Sequence, residues 1–415
     1  MNVIICADII DFYMNPKHEK GAIMTTYNFD EIIDRRETDS IKWSKKYLEE
    51  NFGDEDSLPM WIADMDFKVP QPIIDAIIKR AQHGIFGYGH KSDAFLEAAV
   101  HWQQKRNGWS IQKEWILFTP GIIPALNFIV ETFCRPGDKV ILQSPVYYPF
   151  AKIITNNGCQ IANNPLVLTD GEYKMNFEEL EKIAQDSRTK LMFLCSPHNP
   201  VGRVWSYDEL KRVGEICLKH NVLVISDEIH SDLIYLPHRH IPFASISEDF
   251  KMNSIVCTSP SKTFNLAGLH ISDIIIPNKT IREELNHKLA AIDIDPGVFA
   301  SVAQIAAYHD GEEWLEQLLH YLQANLEFIE KFLRERMPKV KLIPTEGTYL
   351  AWLDFRALGY TDSELQQLMQ KNAKIALDDG YIFGSGGESF QRLNFACPRE
   401  TLAKALERIE KSLNG

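Results

Sequence analysis

The sequence predicts an α/β protein with a mostly parallel sheet of the seven-stranded type, helices on both faces of the sheet, and a smaller α+β domain. Two observations predict this class. Short apolar runs alternate with helical patterns from about residue 114 to 277, as in parallel strands that are joined by crossover helices. The runs are apolar almost throughout, which is typical of strands that are covered on both faces.

The individual elements follow in order along the chain. Apolar runs predict strands at 115–118, 139–143, 190–195, 222–226, 254–259 and 272–277. Between them, segments 177–185 and 207–220 carry apolar residues at helical spacing. Beyond about residue 281 the pattern becomes that of long helices, notably 312–337, followed by a hairpin at 340–355, a strand at 390–397 and a closing helix. This change predicts the second, α+β domain.

The length of 415 residues suits one large domain and a smaller companion. We assign residues 76–295 to the large domain, and residues 25–75 together with 296–415 to the small one. Residues 1–24 are interpreted as an N-terminal extension, because the more regular pattern begins near Met24.

Composition limits the partners and the location. The 57 acidic and 44 basic residues give a formal net charge of −13 without a long basic run, so nucleic acid and anionic membranes are not expected partners. Seven scattered cysteines without a CxxC pair predict reduced thiols. No apolar stretch reaches the roughly 20 residues that span a bilayer, and we predict a cytoplasmic protein. The run His238, Arg239, His240 has no acidic or thiol partner at ligand spacing, so no metal site is predicted.

Three polar residues follow the carboxyl ends of predicted buried strands: Asn199, Asp227 and Lys262. In open α/β sheets this edge is where ligands bind. Each residue alone has an ordinary explanation, because Asn-Pro favours turns, Asp caps helices and Lys is usually solvated. Together, at successive strand ends, they predict a ligand site.

The gaps of 28 residues from Asn199 to Asp227 and 35 from Asp227 to Lys262 complete a pattern that resembles fold-type I pyridoxal-phosphate (PLP) enzymes. The chain is similar, more narrowly, to the cystathionine β-lyase subgroup of the MalY/PatB type, within the class I/II aminotransferase superfamily. The resemblance extends from about residue 26 to the C-terminus, on the strings ADMDF (63–67), FGYG (86–89), PVYYPF (145–150), SPHNPVGR (196–203), SDEIH (226–230), SPSKTFNLAGL (259–269) and RLNFACP (392–398).

This resemblance implies a role for each strand-end residue. Lys262 forms a Schiff base with the cofactor aldehyde and later removes the Cα proton of the substrate. Asp227 keeps the cofactor ring nitrogen protonated, and Asn199 hydrogen-bonds the ring oxygen. His230 stands where many relatives carry Tyr and where the lyase type carries His. The alternative for His230 is a histidine that caps or packs a helix start.

The resemblance also implies a phosphate site. Gly121 follows a strand and opens an amphipathic helix, which leaves the amides of Ile122 and Ile123 free to bind phosphate. Ser259 and Ser261 are expected to add hydroxyl donors from the other side.

His270 is a second departure from the wider family, and the resemblance implies roles for Tyr88, Tyr147 and Arg392. His270 stands where aminotransferase relatives usually place an Arg that pairs with the phosphate. Tyr88 is similar to the tyrosine that reaches the phosphate of a neighbouring subunit, which implies a homodimer. Tyr147 resembles the aromatic residue stacked on the cofactor ring. Arg392 matches the residue that holds the substrate α-carboxylate. Without the resemblance, both tyrosines suit ordinary packing and Arg392 suits an exposed strand.

Three functions are compatible with these residues. The first is a carbon–sulfur β-lyase that converts L-cystathionine or a related S-substituted cysteine to pyruvate, ammonia and a thiol. The second is an aminotransferase, which uses the same lysine, aspartate and arginine. The third is a lyase that also binds and represses a transcription regulator. The subgroup strings, His230 and His270 favour the β-lyase, with a small-molecule amino-acid substrate whose exact identity depends on pocket shape.

Overall fold

The computed structural model of the protein describes residues 26–414, so the interpretation of residues 1–24 lies outside the described residues. Its large sheet has seven strands: β1 (Ile116–Thr119), β2 (Lys139–Leu142), β3 (Gln160–Asn163), β4 (Thr189–Cys195), β5 (Leu223–Asp227), β6 (Ser254–Thr258) and β7 (Ser272–Ile275). Their order is β1-β7-β6-β5-β4-β2-β3. All neighbouring pairs are parallel except those that β7 makes with β1 and β6. The predicted fold class is confirmed.

Burial explains which strands were predicted. The strands β1, β4, β5 and β6 are covered almost throughout, and their apolar runs predict them to within one or two residues. The edge strand β3 was not predicted, because Gln160 and Ile161 are exposed and Ala162 is its one buried residue. A strand with so little buried surface has no continuous apolar run to detect.

Helices cover both faces of the large sheet and form much of the rest of the chain. They are α1 (Lys45–Phe52), α2 (Gln71–Gln82), α3 (Asp93–Asn107), α4 (Ile122–Phe133), α5 (Pro149–Asn156), α6 (Phe177–Ala184), α7 (Tyr207–Lys219), α8 (Glu248–Met252), α9 (Pro260–Thr263), α10 (Lys279–Ala290), α11 (Val298–Asp310), α12 (Glu312–Arg336), α13 (Asp362–Gln367) and α14 (Arg399–Asn414). Local sequence fixes several starts. At α7, Ser206 and Glu209 form a reciprocal capping box. None of the helices within residues 26–414 is long and apolar enough to cross a membrane.

A second sheet is antiparallel. Its strands are β8 (Lys341–Leu342), β9 (Leu350–Asp354), β10 (Asp378–Asp379) and β11 (Phe390–Asn394), in the order β8-β9-β11-β10. The predicted hairpin at 340–355 and the strand at 390–397 correspond to β8, β9 and β11. Leu58–Pro59 also pairs in parallel with Ile375–Ala376, which joins the N-terminal segment to the C-terminal part of the chain. The domain boundaries themselves stay a prediction. A short antiparallel pair, Val167–Thr169 with Glu172–Lys174, completes the strands.

Candidate active site

A cavity of about 220 Å³ lies at the carboxyl ends of β4 and β5, below β10 and β11 of the second sheet. Twelve site residues were predicted, and ten of them line this cavity: Gly121, Ile122, Ile123, Tyr147, Asn199, Asp227, His230, Ser261, Lys262 and Arg392. The other two, Ser259 and Tyr88, do not. Chain segments that are distant in sequence therefore meet in one place.

Lys262 lies on the short helix α9, directly after β6. Its ammonium Nζ donates a hydrogen bond of 2.6 Å to the carbonyl oxygen of Ala63. Burial lowers the pKa of Lys262 to about 8, and the positive charge of Arg392 adds to this, while Asp64 and Asp227 oppose it. A lysine with a lowered pKa supplies a neutral amine near physiological pH, which is the form that acts as a nucleophile or a base.

Asp227 is the last residue of β5, and its carboxyl group is buried. The one hydrogen bond that this carboxyl accepts within residues 26–414 comes from the backbone N–H of Ile229, at 3.2 Å. Burial raises the pKa of Asp227 to about 7, helped by Glu228 and opposed by Lys262. A buried carboxyl with so few donors is suited to a cationic partner inside the cavity.

Arg392 lies on β11 and is buried beside Asn199. Its Nη1 donates to the Asn199 side-chain oxygen at 3.0 Å. Its Nη2 donates to the carbonyl of Trp61 at 2.9 Å and to the carboxylate of Asp378. Burial raises the pKa of Asp378, and Arg392 opposes that shift. The predicted exposure of Arg392 on a strand, considered as an alternative, is wrong.

His230 lies beyond the end of β5, and its ring is nearly perpendicular to the ring of Tyr349, with the ring centroids 5.9 Å apart. Burial, followed by the charges of Lys262 and Arg392, lowers the pKa of His230 to about 3. The ring is therefore neutral at physiological pH. Tyr349 donates a 3.1 Å hydrogen bond to the same Ala63 carbonyl that accepts from Lys262. This one oxygen therefore accepts hydrogen bonds from two side chains.

Four of the five residues predicted for the phosphate site line the cavity, namely Gly121, Ile122, Ile123 and Ser261. Gly121 precedes α4 with φ 109° and ψ 164°, a conformation that only glycine adopts readily. Ser261 lines the cavity, and its backbone N–H donates to the Ser259 hydroxyl oxygen at 3.1 Å. The Ser259 hydroxyl donates to the Ile271 carbonyl at 2.6 Å, so Ser259 supports Ser261. A direct role for Ser259 stays a prediction. His270 also lines the cavity.

The two predicted tyrosines lie in different surroundings. Tyr147 lines the cavity and packs edge-on against Phe150, with ring centroids 5.7 Å apart. Burial raises the pKa of Tyr147, so its hydroxyl stays protonated. Tyr88 is fully exposed in the loop between α2 and α3, and its contact with a neighbouring subunit stays a prediction.

The segment 61–67, which contains the ADMDF string, is held by ion pairs with Arg35 and Lys42, two residues that were not predicted from the sequence. Arg35 donates to the carboxylates of Asp64 and Asp66 at 2.9 and 2.8 Å. Lys42 is fully buried and donates to Asp66 at 2.7 Å and to the Asp64 carbonyl at 2.8 Å. These ion pairs hold the segment whose carbonyls accept from Lys262 and Arg392. Two acidic residues inside an otherwise apolar string were the available signal.

Asp378, which was not predicted from the sequence, lines the cavity from the two-residue strand β10. No pattern marks a strand of that length. In the run 238–240, which was considered as a metal site, His240 instead contacts the carboxylate of Glu228 at 2.9 Å. Within residues 26–414, no cluster of three or more His, Cys, Asp or Glu side chains is arranged to hold a metal ion.

The unsatisfied polar groups of the cavity fit pyridoxal phosphate. Nδ1 of His230 and Nε of Arg392 are buried and have no hydrogen-bond partner among the described residues. The Asp227 carboxyl faces the cavity with a single backbone donor. Gly121, Ile122 and Ile123, at the start of α4, also line the cavity. A ligand with a basic ring nitrogen, a phosphate and an attached amino acid complements these groups.

A lysine, an aspartate and an arginine meet at one edge of a mostly parallel sheet. This combination is typical of PLP-dependent enzymes. Residues 57–409 match the model for aminotransferase class I and II, and the chain belongs to that family.

Three relatives narrow the comparison. The chain is 46% identical to cystathionine beta-lyase PatB of Bacillus subtilis, over 93% of this chain and 100% of the relative. The structure of cystalysin from Treponema denticola, which contains a pyridoxal 5'-phosphate cofactor, is 37% identical with a TM-score of 0.90, and covers 94% of this chain and 99% of its own. The structure of a PLP-bound C-S lyase from Staphylococcus hominis is 35% identical with a TM-score of 0.88, over 94% of this chain and 98% of its own.

Proposed function

We propose that this chain is a PLP-dependent carbon–sulfur β-lyase that converts L-cystathionine or a related S-substituted cysteine to pyruvate, ammonia and a thiol. The observation that carries the proposal is the meeting of Lys262, Asp227, Asn199 and Arg392 around one cavity. The 46% identity to a cystathionine beta-lyase over almost the whole chain supports the lyase over the aminotransferase.

Several residues would hold the cofactor. Asp227 would pair with its ring nitrogen, Asn199 with its ring oxygen, and Tyr147 would cover a ring face. The amides of Ile122 and Ile123, with Ser261, would hold the phosphate. When bound, the cofactor supplies an electron sink that stabilises negative charge at the substrate Cα.

The chain's own side chains bind the substrate and move its proton. Arg392 would hold the α-carboxylate, which fixes the orientation of the Cα–H bond relative to Lys262. The lowered pKa of Lys262, about 8, keeps part of the amine neutral at physiological pH, so Nζ can accept the Cα proton. The Ala63 carbonyl, which Lys262 contacts at 2.6 Å, fixes the position of Nζ.

The predicted homodimer is part of the proposal. Tyr88 is fully exposed, and its loop also exposes Ile85 and Phe86. An exposed apolar loop of this kind suits burial against a second copy, which would bring Tyr88 to the neighbouring cavity. The cytoplasmic location is likewise a proposal, supported by the six cysteines within residues 26–414, which are buried and form no disulfide with one another.

The test follows pyruvate formation from L-cystathionine by the purified protein with added PLP, both with and without a 2-oxo-acid acceptor. A β-lyase releases pyruvate without the acceptor, whereas an aminotransferase depends on it. Lys262→Ala should abolish turnover, and Arg392→Lys should raise KM because Lys cannot hold a carboxylate with two parallel hydrogen bonds. Turnover that requires the acceptor would contradict the proposal.

A further inference from the structure

The guanidinium of Arg392 has its most useful donors already engaged. A carboxylate is held by two parallel N–H groups, taken either from Nε and Nη2 or from Nη1 and Nη2. Both arrangements require Nη2. In this structure Nη2 donates to the Trp61 carbonyl at 2.9 Å and to Asp378, so both of its hydrogens are in use. A substrate carboxylate must therefore displace one of these two acceptors.

The acceptor that can be displaced is Asp378. The Trp61 carbonyl belongs to the backbone of the segment 61–67, which the Arg35 and Lys42 ion pairs hold in place. Asp378 is a side chain on β10, directly opposite Arg392 in the antiparallel pair of β10 and β11. Residues directly opposite in such a pair have side chains close together. Asp378 is thus a carboxylate that the fold places permanently beside Arg392.

We propose that Asp378 competes with the substrate and product carboxylates for Arg392, and so sets the affinity of the site for monocarboxylates. This inference rests on the proposed function. Two anions on one buried guanidinium repel each other in a region with little water, so each ligand carboxylate binds against Asp378. The 2-oxo-acid product has no amine to retain it, and the competition therefore favours its release.

The test compares Asp378→Asn with wild type. Asn keeps the size of the side chain and an oxygen acceptor for Nη2, but it removes the charge. A neutral acceptor is held less strongly than a charged one, so we expect the dissociation constant for pyruvate to fall about tenfold. The measurement is calorimetric titration of the holoenzyme with pyruvate, and product inhibition by pyruvate provides a second readout.

Two controls define the effect. Asp379→Asn removes the neighbouring carboxylate, which bonds to Gln391 and Gln366 and does not line the cavity, and it should leave pyruvate affinity unchanged. The carboxylate-free amine 2-(methylthio)ethylamine should bind wild type and Asp378→Asn equally. If Asp378→Asn does not fold, Asp378→Ser removes the charge with a smaller side chain.

The outcomes separate this inference from the proposed function. Tighter pyruvate binding in Asp378→Asn, with both controls unchanged, supports competition. Unchanged pyruvate binding in Asp378→Asn, together with weaker binding in Arg392→Lys, overturns the role of Asp378 while Arg392 keeps its proposed role. If the wild-type enzyme forms no pyruvate from cystathionine without an acceptor, that result contradicts the proposed function instead.

Discussion

The carboxyl of Asp227 gives the cofactor-free chain a pH-dependent stability that Asp227→Asn should remove. In the folded chain burial raises the pKa of Asp227 from 3.8 to about 7. Between these values the folded state binds a proton that the unfolded state releases, so the free energy of unfolding falls as pH rises through this window. From pH 5 to pH 8 the loss approaches about 3 kcal/mol, because the free energy of unfolding falls by about 1.4 kcal/mol for each pH unit below the folded-state pKa.

Urea unfolding of the cofactor-free proteins at pH 5, 6, 7 and 8 measures this effect. Asn stays neutral, so the variant should gain about 3 kcal/mol relative to wild type between pH 5 and pH 8. PLP affinity should fall by about tenfold to a hundredfold, because the variant lacks the carboxylate that we propose as the charged partner of the ring nitrogen.

Asp273→Asn is a matched control. Burial raises the pKa of Asp273 to about 7 as well, but Asp273 lies on β7 and does not line the cavity. Asp273→Asn should therefore show the same pH-dependent gain in stability with no change in PLP affinity. A stability difference between wild type and Asp227→Asn that does not vary with pH, or unchanged PLP affinity in that variant, would refute the reasoning.

Three further predictions concern other parts of the site. The rate at which the cofactor-free chain captures PLP should rise with pH up to about 8 and then level off, because Lys262 in its proposed role reacts as the neutral amine. Stopped-flow absorbance measures this rate, and a flat profile from pH 6.5 to 9 would contradict the proposed role. Gly121→Val should lower the melting temperature and weaken PLP binding, because a β-branched residue is strained at the Gly121 φ of 109°. Calorimetry measures the melting temperature and titration measures PLP binding, and unchanged values would be inconsistent with a strained turn. Lys42→Met should lower the free energy of unfolding by about 3 kcal/mol, because it leaves Asp66 buried beside one fewer cation. Urea unfolding measures this change, and a difference below about 1 kcal/mol would contradict a stabilising role for the Lys42–Asp66 ion pair.

The sequence predicts those parts of the site that follow long, buried strands. Asp227 ends β5, and Lys262 follows β6 at the start of α9. Both strands are continuous apolar runs, so their ends can be located from the sequence. Parallel strands present their carboxyl ends at one edge of the sheet, so residues at those ends converge without any knowledge of the loops.

The parts that the sequence does not predict depend on non-local pairing. Asp378 lies on a two-residue strand, and only its register with Arg392 on β11 places it at the cavity. The use of the Ala63 and Trp61 carbonyls depends on ion pairs that Arg35 and Lys42 make from outside the segment. Neither backbone acceptors nor such pairings leave a periodic pattern in the sequence. Arg392 was predicted only from the resemblance to a known family, because no local sequence pattern distinguishes it from an exposed strand residue.

The most direct test of the central role of Lys262 is to identify the residue that carries the cofactor. The holoenzyme is reduced with borohydride to make the linkage permanent and is digested, and the peptides are analysed by mass spectrometry. The peptide that contains Lys262 should carry the added mass of the reduced cofactor on that lysine, and Lys262→Ala should carry none. Cofactor attached to a different lysine, or a wild-type protein that retains no cofactor after incubation with PLP, would contradict the proposed site.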